Sequence, residues 1–163
     1  MNDAMQLRQK MLSSAGCCFD ATVTADYGDE IYEFTMSCQA DQSGDLCFTV
    51  ISPESISGVT GTVSGTGGKL TFDQEVLAFD LMADDQITPV SAPWILIRTL
   101  RGGYIHSCAI LEQGIQISMD DSYEEDALHL EVYVDDSGIP YGAEIYWKGR
   151  QFLTLQVENF QYL

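Results

Sequence analysis

Residues 128–160 constrain this chain more than any other stretch. Leu128, Leu130, Val132 and Val134 alternate with His129, Glu131, Tyr133 and Asp135. That period of two marks a strand with one buried face. Asp135-Asp136-Ser137-Gly138 is a cluster of turn formers that reverses the chain. Tyr141, Ala143, Ile145 and Trp147 then form the apolar row of a second strand, and after Lys148-Gly149-Arg150 a third returns over residues 152–157. Two tight reversals between alternating runs predict an antiparallel meander. Its apolar face needs cover, and the rest of the chain has to supply it.

The other segments repeat the pattern. Leu7 and Met11, one helical turn apart, predict an N-terminal helix within residues 2–15, capped by Asn2 or Asp3 and stopped by Gly16. Phe19, Ala21, Val23 and Ala25 form the apolar row of a strand, and Tyr32, Phe34, Met36 and Cys38 that of the next. A third runs from Leu46 to Ile51, and Pro53 ends it because proline cannot extend a ladder. Residues 58–64 and 69–72 predict a hairpin about Gly65-Thr66-Gly67-Gly68, and residues 76–82 are an apolar run of strand length. Ala92, Ile95, Leu96, Thr99 and Leu100 have helical spacing over residues 90–101, with Pro93 tolerated in the first turn and Gly102-Gly103 as the stop. Residues 104–111 and 115–119 return to strand. So many short strands with two helices exclude a parallel βαβ architecture.

Length and charge narrow the function. At 163 residues the chain is expected to form one domain over residues 1–163. Twenty-five acidic side chains against seven Lys and Arg give a net charge of −18, a field that repels nucleic acid and anionic membranes. No apolar run is long enough for a membrane-spanning helix. Gly65-Thr66-Gly67-Gly68-Lys69 is not a phosphate loop: Val63 stands where the first glycine belongs, and Leu70 follows the lysine. Residues 120–131 lack the glycine a calcium loop needs, with Glu125 in its place. The two histidines, His106 and His129, are read as ordinary surface or strand residues, so neither a metal nor a cofactor is expected. No nucleophile motif is present, and the chain is read as non-enzymatic. Of the five cysteines none has CxxC spacing, and Cys17 and Cys18 should point to opposite faces of a strand.

The order of these elements resembles a known superfamily. The residues that carry the likeness are Phe19-Asp20-Ala21, the aromatic hairpin of Tyr32-Glu33-Phe34-Thr35-Met36 and Cys47-Phe48-Thr49-Val50, and Pro53-Glu54. Gly67-Gly68-Lys69-Leu70-Thr71-Phe72, the mid-chain helix, and the ending from Asp135-Asp136-Ser137-Gly138-Ile139-Pro140 to Asn159-Phe160 complete it. The chain resembles the bacterial outer-membrane lipoprotein carriers (LolA/LolB-like), and most closely their Gram-positive lipoprotein relatives, which include a spore-germination lipoprotein. The resemblance implies an α+β, mostly β fold: one strongly curved antiparallel sheet forming an incomplete β-barrel, with helices covering the concave face. It implies an apolar concave face for an acyl chain, a lipid or lipoprotein as ligand, and no catalytic residues. The alternative is an envelope protein-interaction module with a packed core and a protein partner. An extracytoplasmic location with a lipid anchor in a longer precursor is implied; Met1 to Lys10 carry no secretory signal, which leaves a cytoplasmic one open. The residues expected to line the cavity are Phe34, Met36, Phe48, Phe72, Ile110, Met119, Val132 and Trp147.

Overall fold

A computed structural model of the chain describes residues 2–26, 28–72, 75–79, 82–83, 86–87 and 89–163, with the side chains of residues 72, 75–79, 82–83, 86–87 and 151–152 outside the description. Helix α1 (Asn2–Ser13) leads into β1 (Cys17–Asp26), β2 (Ile31–Ala40), β3 (Leu46–Ser52), β4 (Thr60–Ser64), β5 (Gly67–Phe72) and β6 (Glu75–Phe79). A short hairpin of β7 (Met82–Ala83) and β8 (Gln86–Ile87) precedes α2 (Ala92–Gly102). Then come β9 (Tyr104–Leu111), β10 (Gly114–Asp120), β11 (His129–Val134), β12 (Pro140–Trp147) and β13 (Arg150–Tyr162).

Eleven of the described strands form one sheet in the order β6-β5-β4-β3-β2-β1-β13-β12-β11-β10-β9, with every described pairing antiparallel. First and last strands lie side by side at its centre: Ala21 opposes Val157 and Val23 opposes Leu155. The sheet does not close on itself, because among the described residues β6 and β9 remain as edges. The expected incomplete barrel is therefore the observed architecture.

Alternation sets which side chains enter the core. Along β1, Cys17, Phe19, Ala21, Val23 and Ala25 are buried, and along β11 Leu130, Val132 and Val134. Helix α2 does not present the narrow stripe its spacing predicts. Trp94, Ile95, Leu96, Ile97, Thr99 and Leu100 are all buried, and Arg98 is exposed. A helix apolar nearly all round needs cover on both sides. The sheet covers one side of α2, and α1 packs on it through a face of Ala4, Leu7 and Met11. The buried Thr99 hydroxyl is satisfied by donating to the Ile95 carbonyl at 2.7 Å.

Of five register shifts among the described strands, three bear on Tyr141, Phe160 and His106. Tyr133 opposes Gly142 while Val134 opposes Pro140, so Tyr141 is the extra residue and is exposed instead of joining the apolar row. Beyond Val157 the β1–β13 register slips between Cys18 and Asp20, Asn159 adopts a φ of 55°, and β13 runs on to Tyr162. Phe160 then stacks on Phe19 with ring centres 5.6 Å apart. The third lies in β9, where the β9–β10 register shifts beside Ser118 and Met119 and leaves His106 without an opposite residue.

The cysteines follow strand geometry. Cys17 is buried at 2% exposure, its neighbour Cys18 is half-buried, Cys38 is buried and Cys47 is exposed. Cys38 and Cys47 thus occupy opposite faces, and all five thiols are free. Burial, reinforced by Cys18 alongside, pushes the Cys17 thiol up to about 11, and burial raises Cys38 as well. Thiolate is the reactive form. Maleimide labelling of the native protein should therefore modify Cys47 and Cys18 well before Cys17 and Cys38. Equal rates at Cys17 and Cys18 would mean that β1 does not begin as a regular strand.

Candidate functional site: a groove beneath α1

Six of the eight residues expected to line a cavity join one buried core. Phe34, Phe48 and Trp147 are buried, and Met36, Met119 and Val132 are at most 1% exposed. They face inward as alternation predicts, but α2 and neighbouring strands already cover them. The side chain of Phe72 lies outside the described residues. Ile110 stands apart from the six: it is 90% exposed. Its face is inward by register, since it opposes Ile115. Exposure follows from position, near the end of the open edge strand, where no further described strand covers it.

That exposed isoleucine marks an opening. A groove of about 450 Å³ lies between α1, the β9–β10 turn and the β11–β12 hairpin. Leu7, Ile110, Ile115 and Val134 give it apolar walls, and Asp3, Lys10, Asp135 and Asp136 rim it. Leu7, Ile115 and Val134 belong to the core cluster as well, so the groove and the core share walls. Sequence reasoning missed Leu7, Ile115 and Val134 as site residues. Their signal was present in the periodicity, but only the spatial meeting of the first helix with the edge strand makes them a site.

Two arginines hold the helix layer. Arg8 of α1 donates to the carbonyl oxygens of Leu100 at 2.9 Å, Thr99 at 3.2 Å and Gly103 at 2.6 Å. These are carbonyls at the C-terminal end of α2, where a cation also complements the helix dipole. Arg101 donates to the Gln42 carbonyl at 2.7 Å and the Met11 carbonyl at 3.4 Å. Helix α1 is thus latched to α2 by polar contacts and by few apolar side chains.

The convex face of β9–β12 carries a polar cluster. His129 Nδ1 lies 2.9 Å from Asp120 Oδ1, and its Nε2 lies 2.9 Å from Glu131 Oε1. His106 Nε2 lies 2.8 Å from Asp120 Oδ2. Glu131 also accepts from Ser118 Oγ at 2.7 Å and Gln116 Nε2 at 3.0 Å. On β12, Glu144 accepts from Tyr133 at 2.5 Å and Tyr146 at 2.7 Å, so the facing Glu131 and Glu144 each have their own donors. Burial works against the charge of Asp120, but hydrogen bonds from His129 and His106 outweigh it and hold the carboxyl below its ordinary value. Burial likewise opposes charge on Glu131 and on His129. Hydrogen bonds outweigh it in both, holding Glu131 below the usual carboxylate value and His129 above the usual imidazole value.

The pH dependence follows from those signs. Raised His129 contributes stability that is complete below the ordinary histidine pKa and lost as pH rises through its folded value. Lowered Asp120 and Glu131 contribute stability that is complete above the ordinary carboxylate range and lost as pH falls through their folded values. In chelator-treated protein, the Tm advantage of wild type over His129→Gln should be greatest between these ranges, and should shrink toward both acid and alkali. A constant advantage from about pH 3 to about pH 9 would contradict the assignment.

No family model matches the chain, and no curated protein matches it. Solved structures do. An uncharacterized conserved protein from Thermus thermophilus is 14% identical with a TM-score of 0.53, covering 99% of this chain and 86% of its own. A LolA superfamily protein from Nitrosomonas europaea is 9% identical with a TM-score of 0.49 over 97% of this chain and 92% of its own. The Mycobacterium tuberculosis lipoprotein LppX is 11% identical with a TM-score of 0.47 over 98% and 93%. The similarity to the Thermus protein is one of fold.

Proposed function

We propose that the chain is a non-enzymatic cell-envelope protein that binds an acyl chain, of a lipid or a lipoprotein, in the groove beneath α1. The observation that carries this reading is the groove at the open edge of the sheet, polar at its rim and apolar where it shares Leu7, Ile115 and Val134 with the core. Its volume is in the range of small-molecule sites. The sequence resemblance to the lipoprotein carriers supports the same reading, with their Gram-positive and spore-germination relatives as the proposed nearest branch.

Magnitudes indicate which helix moves. Trp94, Ile95, Leu96, Ile97 and Leu100 of α2 are buried. At about 2 kcal/mol each they hold α2 by about 10 kcal/mol. An acyl chain gains about 0.8 kcal/mol per buried CH₂, so roughly twelve or thirteen CH₂ groups are needed to match that. Helix α1 buries Ala4, Leu7 and Met11, roughly half as much. A shorter buried length therefore suffices to displace α1, with α2 remaining in the core. Arg8 is the latch on that motion.

The test is titration with a fluorescent fatty acid. Ile110→Arg changes an exposed side chain, so the thermal transition should be kept while probe binding falls at least about tenfold. Arg8→Ala should speed probe uptake. A wild type and an Arg8→Ala variant that both bind no probe would remove the proposal. The near-complete burial of Met36, Met119 and Val132 favours a second reading. In it the core stays packed and the acidic surface docks a protein partner; the same null titration would leave that reading standing.

A further inference from the structure

The two histidines of the chain lie on strands that flank β10 from either side, and both turn onto one residue, Asp120. His129 arrives by ordinary register, directly opposite Asp120. His106 arrives by a bulge. Ser107 opposes Ser118 and Ile105 opposes Met119, so His106 is an extra residue without a partner in the ladder. Bulges re-aim side chains, and this one puts His106 on the convex face beside Asp120. The donor atoms of His106, Asp120 and His129 all lie within 4.8 Å of one another.

We propose that His106, Asp120 and His129 form a binding site for a divalent first-row transition ion, with zinc as the reference member. Two imidazoles and one carboxylate are a donor set that suits such ions, and three protein ligands leave a further position for water or a ligand. Bonds of about 2.0–2.1 Å place tetrahedral donors roughly 3.3 Å apart. The present spacing reaches that by side-chain rotation, because all three groups are partly exposed, with His106 at 42%, His129 at 37% and Asp120 at 26%.

A second observation points the same way. Metal-bound histidines characteristically pass their other ring N–H to a carboxylate that is itself hydrogen-bonded. With Nδ1 on the ion, His129 keeps Nε2 on Glu131 at 2.9 Å, and Glu131 is fixed in turn by Ser118 and Gln116. An ionic pair at the surface needs no such support. The loop that follows Asp120 adds Asp121, Glu124, Glu125 and Asp126, and the net charge of −18 raises the local cation concentration. Mg²⁺ and Ca²⁺ prefer an all-oxygen shell and should compete poorly.

The experiment is chelator-competition titration of the full chain with Zn²⁺ at neutral pH, joined to Co²⁺ absorption as a readout of coordination. Wild type should bind one Zn²⁺, unaffected by millimolar Mg²⁺, and give a Co²⁺ spectrum with ligand-field bands of imidazole coordination. His106→Ala combined with His129→Ala should weaken Zn²⁺ at least about a hundredfold with the thermal transition retained. Glu131→Gln, which removes no ligand but alters the hydrogen bond that orients His129, should weaken it roughly 10- to 100-fold. If the double variant still binds Zn²⁺ as wild type does, the proposal is overturned. It is overturned equally if neutralising Glu124, Glu125 and Asp126 removes binding while the histidine variants keep it.

Discussion

Met36→Arg is expected to abolish the cooperative thermal transition. Met36 is 0% exposed, opposite Ala21 on one side and Val50 on the other. A guanidinium there loses its water and finds no carboxylate, since the surrounding cluster is apolar. An unpaired buried charge costs several kcal/mol, and the lost thioether packing adds to it. Domains of this size are stable by about 5–15 kcal/mol, so most or all of that margin goes. Circular dichroism melting checks the result. A sharp transition within a few degrees of wild type would show that the concave face is open at Met36, contrary to its complete burial.

Gly16→Ala should destabilise by roughly 3 kcal/mol. Gly16 joins α1 to β1 at a φ of 144°, a region closed to side chains with a Cβ. An added Cβ would stand 2.2 Å from the Ala40 carbonyl oxygen, which is main chain and cannot swing aside. The carbonyl of Gly16 also accepts from Leu163 N at 2.9 Å, which ties the joint to the C-terminus. Relief by backbone movement would pull α1 off the groove. Denaturant unfolding should show the loss in the midpoint, and a variant as stable as wild type would contradict the joint geometry.

Much of the fold was legible because most strands present one buried face. A period of two is visible wherever one face is wet, as at Leu130, Val132 and Val134. The meander, the glycine hairpin and both helices fall where spacing and turn chemistry place them. The rest depends on contacts distant in sequence. Alternation in β1 and β13 reveals two half-buried strands, but nothing in either says that they pair. The bulges at Tyr141, Asn159 and His106 each insert a residue, and periodicity carried across an insertion misassigns or ends the run. That is why Tyr141 reads as apolar-row and why β13 reads as ending at Val157. Ile110 shows a different limit: register sets its face, but cover depends on whether another strand lies beyond it. The burial of α2 on all but its Arg98 side was hidden because Trp94 and Ile97 look like the back of an amphipathic helix until the tertiary cover is known. His106 and His129 are far apart in the chain, and only the order β9-β10-β11 brings them to one carboxylate.

The most direct test of acyl binding beneath α1 is photocrosslinking with a fatty acid carrying a diazirine near its methyl end, followed by peptide mapping of the adducts. Adducts are expected on α1 around Leu7 and on β9–β10 around Ile110 and Ile115, suppressed by excess unlabelled fatty acid and by Ile110→Arg. Saturable adducts confined to the convex face, or none at all, would contradict acyl binding in this groove.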